Sequence, residues 1–168
     1  MTLEELNRLS RTEAALALSR CCGSAQWARI MSLKRPYQDL DELLHAADSV
    51  WARVGEDDRK EAFACHPRIG DARGGEESTR SWAKGEQAGA AGASPQILKD
   101  LASANQEYEK KHGYLFIVCA TGKTAEEMLA ILRQRLLHSA ADEIRVAAEE
   151  QRKITALRLK KLIDDTQP

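Results

Sequence analysis

The stretch LDELLHAADSVWARVG, residues 40–55, carries the clearest structural signal in this chain of 168 residues. Its apolar residues recur every three or four positions, which is the spacing of one face of an α-helix, and Gly55 is a residue type that often ends helices. The same spacing recurs along most of the sequence, and a chain of this length is typical of one domain. We therefore predict an all-α fold in a single compact domain over residues 1–168, with about eight helices.

Capping residues predict where several helices begin. A hydroxyl residue followed three positions later by glutamate can satisfy free N–H groups at a helix start. Ser94 followed by Pro95 is a second start signal, because proline fits the first turn of a helix. The helix that begins after Ser10 is predicted to end near Gly23. The hydroxyl–glutamate pairs are Thr2 with Glu5, Ser10 with Glu13, and Thr124 with Glu127.

Two segments carry weaker signals. A helix is predicted over residues 78–91, although Gly85 and Gly89 weaken it. The run YLFIVCA, residues 114–120, is apolar enough for a buried strand, but no other part of the sequence offers a partner strand. We expect that run to form an extended segment or a helix start rather than part of a sheet.

Composition and charge narrow the classes of function. With 25 basic and 26 acidic residues and no long block of either sign, nothing predicts binding to nucleic acid or to an anionic membrane. No apolar run approaches the length of a membrane span, and neither end carries a recognisable targeting signal, so we expect a cytoplasmic protein. None of the four cysteines forms a C-x-x-C pair, which favours buried free thiols over a zinc site or disulfides.

The stretch CHPRIGDARGG, residues 65–75, is the least helical part of the chain. His66 precedes a proline, which restricts its backbone, and the ordinary pKa of histidine, near about 6.5, suits proton transfer. The residues alone leave two interpretations open. The charges of Arg68, Asp71 and Arg73 help His66 to bind an anionic ligand, or they belong to a solvated loop.

The stretch SWAKGEQAGAAG, residues 81–92, is rich in small residues, so another backbone segment can approach it closely. Glu86 and Gln87 form the strongly polar pair within it. One interpretation places Glu86 at a cavity, where burial raises its pKa. The other is a surface pair on a helix weakened by glycine.

Arg158 lies on an apolar stripe of the last predicted helix. An arginine there either binds an anion through its planar guanidinium, or its aliphatic part lies along apolar surface while the guanidinium reaches water. Both interpretations stay open. The stripe consists of residues separated by three, four or seven positions, which share one helix face: Ile144, Ala147, Ile154, Arg158 and Leu162.

Together these stretches resemble the OHCU decarboxylase family (2-oxo-4-hydroxy-4-carboxy-5-ureidoimidazoline decarboxylases), which are enzymes of urate breakdown. The resemblance covers nearly the whole chain, with Ala83 standing where the family commonly has a serine. It rests on HPRIGD at 66–71, EQAGA at 86–90, NQEYEKKHGYLFIVCATG at 105–122, and the spacing of Glu150, Ile154, Arg158 and Leu159.

The resemblance implies an all-α enzyme, often a homodimer, that uses neither a metal nor an organic cofactor. The implied reaction is decarboxylation of OHCU to (S)-allantoin, with a proton delivered to one face of the ring. By position, His66 resembles the catalytic histidine of the family, and Glu86 resembles its partner carboxylate. The positions implied to bind substrate are Pro67, Gln87, Phe116, Ile117, Ala120 and Arg158.

Two other classes of function remain open from the residues alone. A metal-dependent hydrolase of a small amide or ureido substrate would use His66, Asp71 and Glu86, although these residues lack a standard zinc spacing. A non-enzymatic helical interaction module would expose an apolar groove and would tolerate substitution of His66 and Glu86. The resemblance favours the decarboxylase over both.

Overall fold

The computed structural model describes residues 1–70, 77–90 and 92–164, and these residues contain nine α-helices, one short 3₁₀ helix and no β-strand. The predicted all-α fold is therefore confirmed, with one α-helix more than the eight expected. The helices are α1 (Leu3–Arg8), α2 (Arg11–Ser19), α3 (Ala25–Leu33), α4 (Leu40–Trp51), α5 (Glu56–Ala64), α6 (Glu77–Glu86), the 3₁₀ helix (Ala88–Ala90), α7 (Pro95–His112), α8 (Ala125–Arg135) and α9 (Ala140–Asp164).

The capping residues begin their helices as predicted. Thr2, Ser10 and Thr124 each form a full capping box with the glutamate three positions later. Ser94 caps α7, whose first residue is proline. Each cap satisfies N–H groups that have no partner inside the helix, so these starts are fixed by local sequence.

Helix ends follow the sequence less closely. α2 ends at Ser19, before Gly23, and a tight turn follows in which the amide of Cys21 donates to the carbonyl of Leu18 at 2.9 Å. α6 ends at Glu86 rather than near residue 91, and the chain continues in the 3₁₀ helix. Glycine lowers the helix propensity of this stretch, as the sequence predicts. Residues 115–120, here named the extended segment, lie in neither helix nor strand, so the run is not part of a sheet, as predicted, and does not begin a helix.

The chain forms two compact units. One contains residues 1–62 and the chain from Arg152 onward, and the other contains residues 63–151. The boundaries fall inside α5 and α9, so these two helices contribute residues to both units. The single domain over residues 1–168 stays a prediction.

The first unit has a core around Trp27, which is fully buried on α3 and donates its indole N–H to the carbonyl of Ala47 at 3.2 Å. Arg35 donates to the carbonyls of Leu6 and Leu9 at 2.6 and 2.8 Å, at the C-terminal end of α1. A cation at this position satisfies carbonyls that have no partner inside the helix. Other fully buried side chains of this unit are Leu6, Leu18, Met31, Leu43 and Leu159.

The second unit has an apolar core formed by α7, α8 and the segment 116–120. The ring of Tyr108 lies at its centre, with ring centroids 5.3 Å from Phe116 and 5.9 Å from Tyr114. Edge-on aromatic contacts at these distances stabilise a core beyond simple burial. The core also includes Ile69, Leu101, Val118, Met128, Leu129 and Leu132.

A buried ion pair lies beside this core. Arg135 on α8 is 4% exposed and Glu143 on α9 is fully buried, and the Nε of Arg135 donates to Oε1 of Glu143 at 2.8 Å. The same arginine donates from Nη1 to the carbonyl of Ile117 at 2.6 Å. Its guanidinium also lies over the ring of Phe116, 4.6 Å from the centroid. Through these two contacts, Arg135 connects α8 to the extended segment.

The cysteines agree only in part with the sequence prediction of buried free thiols. All four cysteines are free thiols, and Cys21 and Cys22 are buried as expected. Cys65 and Cys119 are only partly buried, so the prediction of buried thiols is wrong for them. In the part of the chain that the structure describes, no helix is long and apolar enough to cross a membrane.

Candidate active site

The loop that follows α5 carries His66 and is held against α7. Its backbone carbonyl at Ile69 accepts a hydrogen bond from the side-chain amide of Asn105 at 3.2 Å. Arg68 forms two hydrogen bonds with the carboxylate of Glu109, at 2.6 and 2.8 Å. Pro67 is buried within this loop, while Arg68 points outward and is exposed. These contacts hold the part of the loop that follows Pro67.

A hydrogen bond joins this loop to the stretch that contains Glu86. The backbone N–H of Gly70 donates to Oε1 of Gln87 at 3.1 Å. Gly70 has a φ of +86°, a conformation that glycine adopts without strain. The two unusual stretches of the sequence are thus brought together, although seventeen positions separate the bonded residues.

His66 contacts a residue that was not among the predicted site residues. Its Nε2 lies 2.7 Å from Oε1 of Gln151, which is fully buried on α9. Its backbone N–H donates to the carbonyl of Phe63 at 3.2 Å. The imidazole is therefore held through both its ring and its backbone.

Glu86 is the last residue of α6, and only 8% of its surface is exposed. Of the two interpretations left open by the sequence, the surface pair is therefore wrong for Glu86, while Gln87 is half-buried. The pKa of the Cys119 thiol is raised by burial, then by the carboxylate of Glu150, and also by that of Glu86. Lys123 opposes this effect. Glu86 therefore lies within electrostatic range of the extended segment.

The extended segment has much of its backbone already bonded to protein groups. The amide of Cys119 donates to Glu150 at 2.7 Å, and its carbonyl accepts from Nζ of Lys123 at 2.8 Å. The carbonyl of Ile117 accepts from Arg135. The three implied substrate-binding residues of this segment, Phe116, Ile117 and Ala120, are 2%, 2% and 5% exposed.

The small residues after Glu86 allow close backbone approach, as predicted. A Cβ at Gly89 would lie 1.9 Å from the carbonyl oxygen of Lys123, so only glycine fits there. A Cβ at Gly85 would meet no atom within 4 Å. Ala83, where the family commonly has serine, is 3% exposed and packs as a small apolar residue.

Arg158 belongs to the other unit, where only 3% of it is exposed. A head group that reaches water is excluded by this burial, so that interpretation of Arg158 is wrong. The alternative, a buried fork that takes an anionic or polar partner, stays a prediction.

The predicted charge cluster around His66 is described only in part. Arg68 is occupied by Glu109, which favours a surface ion pair over direct anion binding by this residue. Asp71 and Arg73 lie outside the described residues. Within residues 1–70, 77–90 and 92–164, no three histidine, cysteine, aspartate or glutamate side chains are grouped so that they could hold a metal ion.

The sequence does contain a signal for Gln151. This residue lies seven positions after Ile144 and seven before Arg158, so it shares their helix face. A polar residue at that spacing on an apolar stripe is buried and needs a partner. Asn105 carries a similar signal, since it lies four positions after Leu101 and three before Tyr108, whereas Glu150 lies among other polar residues.

The chain is similar to known proteins over most of its length. A model of the OHCU decarboxylase family matches residues 7–160. The uric acid degradation bifunctional protein TTL of Arabidopsis thaliana is 36% identical over 148 residues, which are 86% of this chain and 46% of that protein. The 2-oxo-4-hydroxy-4-carboxy-5-ureidoimidazoline decarboxylase of Halalkalicoccus jeotgali is 23% identical over 163 residues, covering 96% of this chain and 92% of that protein.

Solved structures show the same fold. A crystal structure of OHCU decarboxylase in the presence of (S)-allantoin superimposes with a TM-score of 0.78 and 38% identity, covering 88% of this chain and 96% of that chain. The chain spans less than half of the bifunctional relatives from A. thaliana and Bacillus sp., at 46% and 32% of their lengths. Since the family match extends over residues 7–160, the chain belongs to the OHCU decarboxylase family.

Proposed function

We propose that this chain decarboxylates OHCU to (S)-allantoin in the breakdown of urate, without a metal or organic cofactor. The observation that carries the proposal is the hydrogen bond between Gly70 and Gln87, which ties the loop of His66 to the residue next to Glu86. Family membership supplies the reaction class, and this contact supports a shared site for the two proposed catalytic residues. The family match also extends into both compact units, which supports one functional domain over residues 1–168.

The chemistry needs an electron sink, and OHCU contains one. The carbon that bears the carboxylate adjoins an unsaturated ring carbon, so the electron pair of the breaking C–C bond can delocalise into the ring as CO₂ leaves. A proton is then added to one face of the ring. The protein must hold the carboxylate in surroundings that favour loss of its charge, and it must place a proton donor on one side.

His66 and Glu86 are the proposed catalytic residues. In this scheme they orient and polarise the hydroxyl of the substrate, and one of them delivers the proton. A positioned acid or base of this kind contributes about 10²–10⁴ in rate. The burial of Glu86 supports the role, because a buried side chain is held in a defined position.

The remaining residues are proposed to bind and orient the substrate. Gln87 carries an amide that suits the polar groups of the ureido chain, and Arg158 carries a planar fork that suits a carboxylate or a carbonyl. Pro67 is proposed to shape the wall of the site beside His66. Phe116, Ile117 and Ala120 are proposed to pack against the ring through the extended segment.

We further propose that the protein is a homodimer located in the cytoplasm. The homodimer rests on the family resemblance, and a cytoplasmic location fits the four cysteines that form no disulfide. The proposed partners are the substrate OHCU and a second copy of this chain, with neither nucleic acid nor a membrane involved.

The proposed activity is tested by adding the purified protein to freshly generated OHCU and following its decay by circular dichroism. We expect the decay to be accelerated in proportion to protein concentration over the spontaneous reaction in buffer. A chelator added to the same assay tests the alternative of a metal-dependent hydrolase. Unaccelerated decay, or activity that a chelator abolishes, would contradict the proposal.

A further inference from the structure

Gln151 is fully buried on α9, and its side chain reaches His66 across 85 positions of sequence. Its Oε1 lies 2.7 Å from Nε2 of the imidazole, which is the distance of a strong hydrogen bond. An amide oxygen can only accept a hydrogen bond, so Nε2 must be the nitrogen that carries the hydrogen. In the neutral imidazole, Nδ1 then carries the lone pair.

We propose that Gln151 is a positioning residue that fixes His66 in the Nε2–H form, so that Nδ1 is the nitrogen that exchanges a proton with the substrate. The inference rests on the proposed function for its catalytic consequence. The ring orientation itself follows from the contact between the two side chains. A histidine whose second nitrogen is held by a fixed acceptor is oriented by that acceptor.

The use of an amide rather than a carboxylate has a chemical consequence. A carboxylate at this distance would stabilise the imidazolium, whereas a neutral amide orients the ring and adds no charge. A carboxylate is present one position earlier, but Glu150 binds the amide of Cys119 at 2.7 Å. Successive residues of a helix point in different directions, so the neighbouring side chains serve different partners.

The test uses nitrogen-15 NMR of the imidazole rings at about pH 8, where an ordinary histidine is neutral. The signals of His66 are assigned as those that vanish in His66→Ala. We expect a protonated Nε2 and an unprotonated Nδ1 in the wild-type protein. Gln151→Glu keeps an oxygen acceptor and is expected to keep Nε2 protonated. Gln151→Met removes the acceptor and is expected to give a mixture of the two neutral forms.

Kinetics supply the second readout. We expect Gln151→Met to lower kcat for OHCU about tenfold, the size of one lost hydrogen bond, with little change in KM. The matched control is Gln134→Met, which makes the same exchange at an exposed position of α8 and is expected to leave kcat unchanged.

Three results would overturn the inference: an Nδ1–H form in the wild-type protein, an unchanged single form in Gln151→Met, or wild-type kcat in Gln151→Met. The spectra are independent of substrate. If the wild-type protein does not accelerate OHCU decay, the proposed function fails, while the NMR result still decides whether Gln151 sets the form of His66.

Discussion

Glu86 ends α6 with only 8% of its surface exposed, although glutamate is a residue type that is mostly exposed. His66 is likewise held by a buried partner, Gln151. Such placements are typical of functional sites, where a group needs a fixed position or an altered proton affinity. At the scale of the residue, the proposed site therefore depends on two polar side chains, Glu86 and His66, that are buried or held by a buried partner.

Glu86→Ala is expected to lower kcat for OHCU by two or more orders of magnitude, about the contribution of a positioned acid or base. The matched control is Glu126→Ala, which removes an exposed glutamate near the start of α8. Steady-state decay of OHCU measures both variants. A loss in Glu86→Ala that is no larger than the loss in Glu126→Ala would remove Glu86 from the catalytic site.

At the scale of the element, the 3₁₀ helix after Glu86 depends on one glycine. Gly89→Ala is expected to destabilise the protein by about 1–3 kcal/mol, because its Cβ would collide with the backbone of Lys123. Gly85→Ala, four positions earlier in α6, meets no neighbour and is expected to stabilise the protein by about 0.5–1 kcal/mol. Urea unfolding of the two variants measures the difference. Equal effects of the two substitutions would refute the close approach.

Capping residues made the helix starts predictable, because each cap uses only residues within one turn. The end of α2 was not predictable in the same way, since Gly23 offered a stop signal four residues too late. The density of small residues predicted that another backbone segment approaches closely near Gly89. It did not predict that this segment is the backbone at Lys123. The contact of His66 with Gln151 joins residues 85 positions apart, and local patterns do not encode such pairings.

The buried ion pair beside the extended segment gives a second prediction at this scale. Glu143→Gln leaves the guanidinium of Arg135 buried without a counter-charge, so we expect a loss of about 3–5 kcal/mol in the free energy of unfolding. The control is Arg133→Ala, on the same helix as Arg135. It breaks an exposed ion pair with Asp100 of α7 and is expected to cost less than about 1 kcal/mol. Urea unfolding at neutral pH compares the two.

The same pair is expected to make stability depend on pH. Burial alone would raise the pKa of Glu143, but hydrogen bonds from Arg135, Tyr108 and His138 outweigh it and lower the pKa below the ordinary value of 4.5. The resulting stability is present above that ordinary value and is lost as the pH falls through the lowered one. Glu143→Gln should therefore lose less stability on acidification than the wild-type protein. Parallel acid profiles would contradict this role of the pair.

At the scale of the whole molecule, the chain spans most of one relative and only part of others. It covers 92% of the H. jeotgali decarboxylase but less than half of the bifunctional relatives. We expect it to sediment as a homodimer, with a mass twice the 18.6 kDa of one chain. Analytical ultracentrifugation at assay concentrations measures this. A fully active species with the mass of a single chain would refute the proposed homodimer.

His66 is proposed to help add a proton to one face of the decarboxylated ring. The most direct measurement compares the circular dichroism of the product formed from fresh OHCU by the wild-type protein, by His66→Ala, and by His45→Ala as a control at an exposed histidine of α4. We predict rapid formation of (S)-allantoin by the wild-type protein and the control, with turnover lowered by two or more orders of magnitude, roughly the loss of one acid–base group, in His66→Ala. Near wild-type turnover to (S)-allantoin by His66→Ala would contradict the claim.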